Sequence, residues 1–575
     1  MKTFIDKIGS KIGIAFIMLL VFNWIISQWY IRWDLTHDKR YTLSETTRKT
    51  LLKINQPVVI DVLLKGNIPI EFKKLQTETL QLLEEYVAQN KNIHLNFVNP
   101  LEEGNDPQQT INELIQFGLN PLQISQTEAG MSSIEYIFPW AVISDSIQSQ
   151  KVSLFVNKIG TTDQERVQNS VQLLEYNITD ALHKLTLKKH KKIAILKSNG
   201  TLNDTYIADF LKTMKDYYLI APFTLDSVPT QPEKTLAHLQ SYDLLIVPKP
   251  TTPFTDPQKQ VLDQFVMNGG RALWLIDHVG IDIQDLYTQN GTAVAMPMNL
   301  NLGDMFFQYG FRVNYTLIND LYFSDLMIAT GEGSQTRYIP IPWVYNPMIL
   351  SQNNHLINNN LDAIRLQFSN SIDTLKNGIR KRVLLTSSPI SKADGTPREV
   401  TLNVDTKKMD KNAYKSGNIP VAVLLEGEFS SVYKDRITPI ELKNNLQTSK
   451  PTKMIVIADG DIIKNDLSNN TPLELGLDKW TNRFYDNKAF LQNSVNYLLD
   501  DTDFLSLRNK KVQLAFLNKE KVADYQSSWK IKSILYPLLF LIFTILGIRI
   551  IYQRKYKIGY TKIFVKIIKS VFFDF

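Results

Sequence analysis

The chain has 575 residues, 44% of them hydrophobic, and no cysteine; it is long enough for several buried cores, and the missing thiols exclude thiolate catalysis, iron–sulfur ligation and zinc–thiolate sites. The net charge of +7 sits at the two ends, in Lys2, Lys7 and Lys11 against Asp6, and in Arg549, Arg554, Lys555, Lys557, Lys562, Lys566 and Lys569 against Asp574. The stretch between is close to neutral, without the basic excess of a nucleic-acid-binding face, and no G-x-x-x-x-G-K-[ST] is present, which excludes a P-loop ATPase.

Taken in chain order, residues 1–11 are a short basic tail. Residues 12–31, IGIAFIMLLVFNWIISQWYI, are apolar enough and long enough to cross a hydrocarbon core of about 30 Å, with Trp24, Trp29, Tyr30 and Trp33 gathered toward one end as interfacial aromatics. Bulky residues follow with no small-residue cleavage site, so the segment reads as an uncleaved anchor. After a connector, 32–56, in which Ser44 is a helix N-cap, residues 57–160 alternate strand and helix. Val58–Leu64, Ile93–Val98, Leu122–Ser125, Tyr136–Ser144 and Lys151–Val156 read as strands, and Pro69–Gln89 and Pro107–Phe117 as helices. That order suggests a thioredoxin-like α/β domain. A linking helix follows within 161–190, with the apolar stripe Val167, Val171, Leu174, Ile178, Leu182 and Leu185.

Residues 191–280 begin a doubly wound α/β domain. Strands are expected at Lys192–Leu196, Leu219–Thr224, Asp243–Val247 and Ala272–Ile276, and helices at Asp204–Tyr217 and Asp256–Met267, the last stopped by Asn268-Gly269-Gly270. Residues 281–450 read as an irregular or β-rich insertion, with strands near Arg382–Thr386 and Val421–Leu425. Residues 451–505 return to the sheet through the strand Met454–Ala458 and the helix Phe484–Leu499. A connector, 506–530, leads to a second apolar span at 531–552. In the tail, 553–575, Lys562, Lys566 and Lys569 share one helical face, the pattern of an in-plane helix on anionic lipid or of a docking helix. Lys and Arg flank both spans on their outer sides, so both termini are expected in the cytoplasm and residues 33–530 across the membrane.

Two strand ends in the doubly wound region are acidic, Asp277-His278 and Asp459-Gly460-Asp461, and ligands of such sheets sit beyond the carboxyl ends of strands. Three carboxylates and an imidazole form a possible divalent-metal set; the alternative is loop and helix capping. Lys249 and Thr251 stand where a hydrolase would carry its nucleophile turn, but without G-x-S-x-G or an identified base. Trp140, Trp343, Tyr345 and Tyr287 are either sugar-stacking groups or core.

Four stretches resemble one family: DLTHDKRYTLSETT (Asp34–Thr47); KKIAILKSNG (Lys191–Gly200) with the run Asp243–Asp277; IADGD followed by Asn482–Asp501; and LSLRNKKVQLAFLNKEKV (Leu505–Val522). With the two spans, they make the chain similar to the GldG family, the auxiliary component of gliding-motility ABC transporters of Bacteroidetes-type bacteria. The resemblance implies a GIFT block similar to glutamine-amidotransferase-like domains, which use a cysteine nucleophile that this chain lacks. It also implies a GldF-like permease and a GldA-like ATPase as partners in the bacterial inner membrane, with no catalytic residue and no cofactor. The expectation is therefore a non-catalytic, extracytoplasmic transporter subunit supporting gliding and linked secretion. A periplasmic solute- or glycan-binding module and a divergent metal-dependent hydrolase using Asp277, Asp459 or Asp461 are the alternatives.

Overall fold

A computed structural model describes residues 17–24, 34, 36, 38–66, 68–102, 106–128, 131–156, 158, 160–287, 291–331, 336–350, 355–402, 410–508, 510, 512, 514 and 519–572. For 70, 71, 125–128, 131–134, 519, 520, 523, 552 and 555–572 it describes the backbone only. The chain divides into two compact units, Met1–Val512 and Gln513–Phe575.

In the first unit, residues 17–24 are helical with exposed side chains; the rest of the span expected at 12–31 lies outside the described residues. Helix α1, Glu45–Leu52, begins where the Ser44 hydroxyl accepts the Thr47 amide, as an N-cap should. Strand β1, Val58–Val62, is followed by helix α2, Ile70–Gln89, strand β2, Ile93–Phe97, and helix α3, Pro107–Gln116, which is capped by Asp106. The expected strand 136–144 is two strands. Met131–Ile137 (β4) pairs with Leu122–Glu128 (β3) in a separate hairpin, and Trp140–Ser144 (β5) pairs with Ser149–Ser153 (β6). Pro139 stands between β4 and β5 and has no amide proton to continue a ladder. The four-stranded sheet has the order β2-β1-β5-β6, with only the β1–β2 pair parallel.

Helix α4, Asp163–Thr186, opens with a reciprocal capping box between Thr162 and Glu165. Next come β7 (Lys192–Leu196), α5 (Ala208–Lys215), β8 (Leu219–Phe223), α6 (Pro232–Leu239), β9 (Leu244–Pro248), α7 (Asp256–Met267) and β10 (Arg271–Leu275). Helices α5 and α6 have eight residues each, shorter than a strand–helix alternation with long helices leads one to expect, and α6 escaped the sequence reading. The expected helix over 204–217 starts instead with a 3-10 turn at Asp204–Ile207. Gly269 adopts φ +95 directly after α7, the left-handed conformation that glycine supplies cheaply.

The main sheet has seven strands. Arg380–Thr386 (β11) and Pro420–Gly427 (β12), both expected within the insertion, extend it: β12 pairs antiparallel with Thr452–Ile457 (β13), and β11 pairs antiparallel with β12 at the edge. The order is β11-β12-β13-β10-β9-β7-β8, and the five strands from β13 to β8 are parallel. Alternation puts Ala194 and Leu196 on one face with α6, α7 and the short helix Gly303–Tyr309. Ile193 and Ile195 lie on the other with α5 and helix α8, Asn487–Leu498. Strands buried on both faces read as continuous apolar runs, as ALWL and MIVI do. Between β10 and β12 the chain also forms short antiparallel ribbons, among them Thr316–Asp320 with Ser391–Gly395 and Leu326–Thr330 with Arg337–Ile341. The ribbons share a small core around Trp343, Val344 and Phe368. Helix α9, Asp503–Leu507, packs its Phe504 against His183 of α4, ring centroids 4.5 Å apart.

Among its described residues, the second unit contains helix α10, Lys519–Phe572, with Pro537 inside it. Its stretch Asp524–Ile551 is apolar and long enough to cross a membrane, with its side chains exposed. The backbone stays helical through the tail; the side chains of Lys562, Lys566 and Lys569 lie outside the described residues.

Candidate functional site

Parallel strands β9, β10 and β13 are neighbours, so the residues just past their carboxyl ends converge. Lys249 follows β9, Asp277 follows β10, and Asp459, Gly460 and Asp461 follow β13. The structure thus brings the two acidic strand ends together, and it adds the lysine. The Lys249 ammonium donates to Asp461 and lies 3.4 Å from Asp277. Asp277 accepts the Gly460 amide at 2.7 Å. Asp459 accepts the amides of Asp461 (2.8 Å), Ile462 (3.1 Å) and Gln367 (2.6 Å). Lys249 itself sits at φ +50, a strained conformation for a non-glycine residue, and a Cβ on Gly460 would run into the Lys249 side chain.

All four charged groups are buried, and burial penalises the charged form. It pushes Asp277 up to about 6, helped by Asp461 and opposed by Lys249. It raises Asp459 well above the carboxylate range, helped by Asp277 and Asp461. Burial acts the same way on Asp461, but Lys249 and Lys464 outweigh it and hold that carboxyl low. Burial would lower Lys249, yet Asp461 and Asp277 outweigh it and raise that ammonium. The consistent charge state is an ionised Lys249–Asp461 pair beside carboxyls that hold their protons readily. An ammonium is thus where a metal would be bound by these carboxylates, and among the described residues no group of three His, Asp or Glu is arranged to hold a metal ion.

His278 does not join the cluster. Adjacent residues of an extended chain point to opposite sides. Its ring lies between Tyr315 and Phe306, centroids 5.3 and 6.4 Å away, with Nδ1 2.9 Å from the Val313 carbonyl. Burial lowers its pKa. Thr251 donates to the Gly200 carbonyl at 3.0 Å, and its amide to Asn199 at 3.0 Å. It therefore closes the loops after β7 and β9, the point at which strand order reverses and where ligands of such sheets usually enter. Residues 366–371 cover the ends of β10 and β13. Asn370 donates its amide to Ala458 (2.7 Å) and accepts the His278 amide (2.6 Å), and the Ser369 hydroxyl donates to Ala458 (2.9 Å).

Of the candidate sugar-stacking aromatics, Trp343 and Tyr345 are core. Trp140 donates to the Asn120 carbonyl at 2.8 Å, and Tyr287 is exposed. Two exposed rings that the sequence did not single out, Tyr338 and Trp480, contact each other at 4.3 Å. Glu175 of α4 was missed as well: it is buried and accepts from Ser44, Thr47 and Lys510. The available signal was a carboxylate beside the apolar stripe of that helix.

The described residues thus combine a doubly wound domain whose carboxyl edge is covered with a helix long and apolar enough to cross a membrane. The family described as an ABC-type uncharacterized transport system, an auxiliary family, matches residues 190–494. This chain belongs to that family, and its membership supports a non-catalytic accessory role beside other ABC transporter components. A domain of unknown function, DUF7088, matches residues 37–144. No curated protein matches. Among solved structures, the N-terminal domain of mmIFT52 is 12% identical with a TM-score of 0.31, covering 54% of this chain and 97% of that one. A ThuA-like protein from Parabacteroides merdae is 10% identical with a TM-score of 0.26, covering 57% and 93%. Neither likeness is close enough to carry an argument.

Proposed function

We propose that this protein is the extracytoplasmic auxiliary subunit of an ABC transporter, anchored at 12–31 and 531–552, with both termini in the cytoplasm and residues 33–530 in the periplasm. The observation that carries the reading is the family match across the doubly wound region together with the exposed apolar stretch Asp524–Ile551. Its partners are a permease and a P-loop ATPase, of GldF and GldA type, and its process is gliding motility with linked secretion. The resemblance in the four sequence stretches supports that finer assignment, as it does the amidotransferase-like description of the doubly wound region; the strand–helix order supports the thioredoxin-like description of 57–160. The chemistry lies with the ATPase. This chain has no P-loop, and the carboxylates past the strand ends are buried around a lysine counter-ion.

The test is purification of the tagged full-length chain from membranes in mild detergent. Recovery of a polytopic permease and a P-loop ATPase in fixed ratio supports the reading, and recovery without either overturns it. Unchanged gliding and surface-protein export in a deletion strain removes the motility assignment while leaving the transporter one. A glycan-binding reading draws on the exposed Tyr338–Trp480 contact; calorimetry that stays flat with cell-surface glycans removes it.

A further inference from the structure

The segment that follows the first expected span and the segment that precedes α10 meet at one buried carboxylate. Glu175 lies midway along α4, and its side chain is 5% exposed. One oxygen accepts the Ser44 amide and the Thr47 hydroxyl, both at 2.7 Å. The other accepts the Lys510 ammonium at 2.6 Å. Lys510 spends its remaining donors on the carbonyls of Thr42 (2.8 Å) and Arg40 (3.2 Å). Residues 40–47 and residue 510, far apart in sequence, are therefore held to each other as well as to α4. Arg40 lies 3.6 Å from a second buried carboxylate, Glu78 of α2. Asp34 gathers the amide of Tyr41 and the hydroxyl of Thr42, both at 3.0 Å, which shapes the incoming loop.

Helix α4 is in turn tied to both sheet regions by buried polar pairs. Thr179 is 2.6 Å from the Tyr86 hydroxyl of α2 and 3.0 Å from Thr47. Asp180 accepts the Tyr217 hydroxyl, which follows α5, at 2.7 and 2.8 Å. Gln172 donates to Asn360 at 3.1 Å. A buried carboxylate that accepts three hydrogen bonds, one from an ammonium, is held in one geometry, because losing a partner leaves its charge under-compensated in a poorly polarisable interior.

We infer that Glu175 and Lys510 form a coupling clamp, which ties the two membrane-directed ends of the chain together and transmits a displacement of either one through α4 to both sheets. The inference deepens the transporter reading and rests on it for its purpose, but the clamp itself is a property of this chain alone.

Hydrogen exchange on the full-length protein in detergent tests it, with Glu175→Gln, Lys510→Met and the double variant. The clamp requires amide exchange to rise at least tenfold in both 40–47 and 503–512 for either single variant, with β10 unchanged. The double variant should be no worse than the worse single one, because one shared interaction is lost. Exchange that rises only beside the substituted residue, or single effects that multiply in the double variant, overturns the proposal. Should a single variant fold poorly, Lys510→Arg, which keeps the charge, must retain protection in both segments. Co-purification with the transporter partners is read separately, so a failed clamp and a failed transporter assignment remain distinct results.

Discussion

Replacing Lys249 by methionine keeps the side-chain length and deletes its charge. Asp461 and Asp277 then lose the cation between them, Asp461 keeping only Lys464 at 3.6 Å, and removing one partner of a buried pair typically costs about 3 kcal/mol or more. Chemical denaturation of Lys249→Met against the parent should show that loss; equal stability would mean that Lys249 does not hold the cluster. Asp277 adds a pH dependence with a definite sign. Its folded-state pKa, about 6, lies above the ordinary carboxyl value of 3.8, so the folded state binds the proton more tightly. The stability this provides is complete below pH about 4 and is lost as pH rises through about 6, a decline on the order of 1–3 kcal/mol. Asp459 acts with the same sign. Melting temperature followed from pH 4 to 7 should fall more in the parent than in Asp277→Asn, and parallel profiles would refute the assignment. The acidic strand ends were legible as candidates because ligands of such sheets sit past the carboxyl ends of strands; that their strands are neighbours was not. The lysine between them was not, because its role depends on a left-handed turn after β9 that Pro248-Lys249-Pro250 does not announce.

At the scale of elements, agreement was best where the signals are local. Helix α7 was read to the residue, Asp256–Met267, with Asn268-Gly269-Gly270 as its stop; the structure adds the Thr255–Gln258 capping box at its start. Thr255→Ala removes the side-chain acceptor for the Gln258 amide and should cost about 1 kcal/mol in a denaturation experiment; no change would mean that the box contributes nothing to α7. Gly200 adopts φ +67 and packs under Thr251, so Gly200→Ala combines backbone strain with a steric clash and should cost roughly 1–3 kcal/mol by the same measurement. The misreadings were non-local. Strand β12 joins the main sheet by pairing with β13, and β11 by pairing with β12 more than thirty residues away in sequence, and no local propensity encodes a pairing partner. The eight-residue α6 is too short to show a periodic stripe.

For the whole molecule, topology is the open quantity, and the absence of cysteine makes it measurable, since any introduced thiol is unique. His190 is exposed after α4, and Ser570 stands in the C-terminal tail. With both ends in the cytoplasm, His190→Cys should react with a membrane-impermeant maleimide once the outer membrane is opened, and Ser570→Cys only once the inner membrane is broken. Labelling of both under the first condition would place the tail with the folded unit and overturn the orientation read from flanking lysines and arginines.

Composition and pattern by themselves determined that this chain carries no thiol chemistry and no P-loop, that an apolar stretch near its end can cross a membrane, and that a parallel doubly wound region lies at its centre. Those are properties of residue type and short-range periodicity, which need no folded state to be read. Only the tertiary structure decided that Lys249 neutralises the carboxylates, that His278 turns away, that residues 366–371 cover the sheet's carboxyl edge, and that Glu175 joins two segments from opposite ends of the chain. Each of these depends on which residues meet in space after the chain has crossed itself. Burial then acts on the groups that meet there, favouring those charges that find a partner and neutralising those that do not.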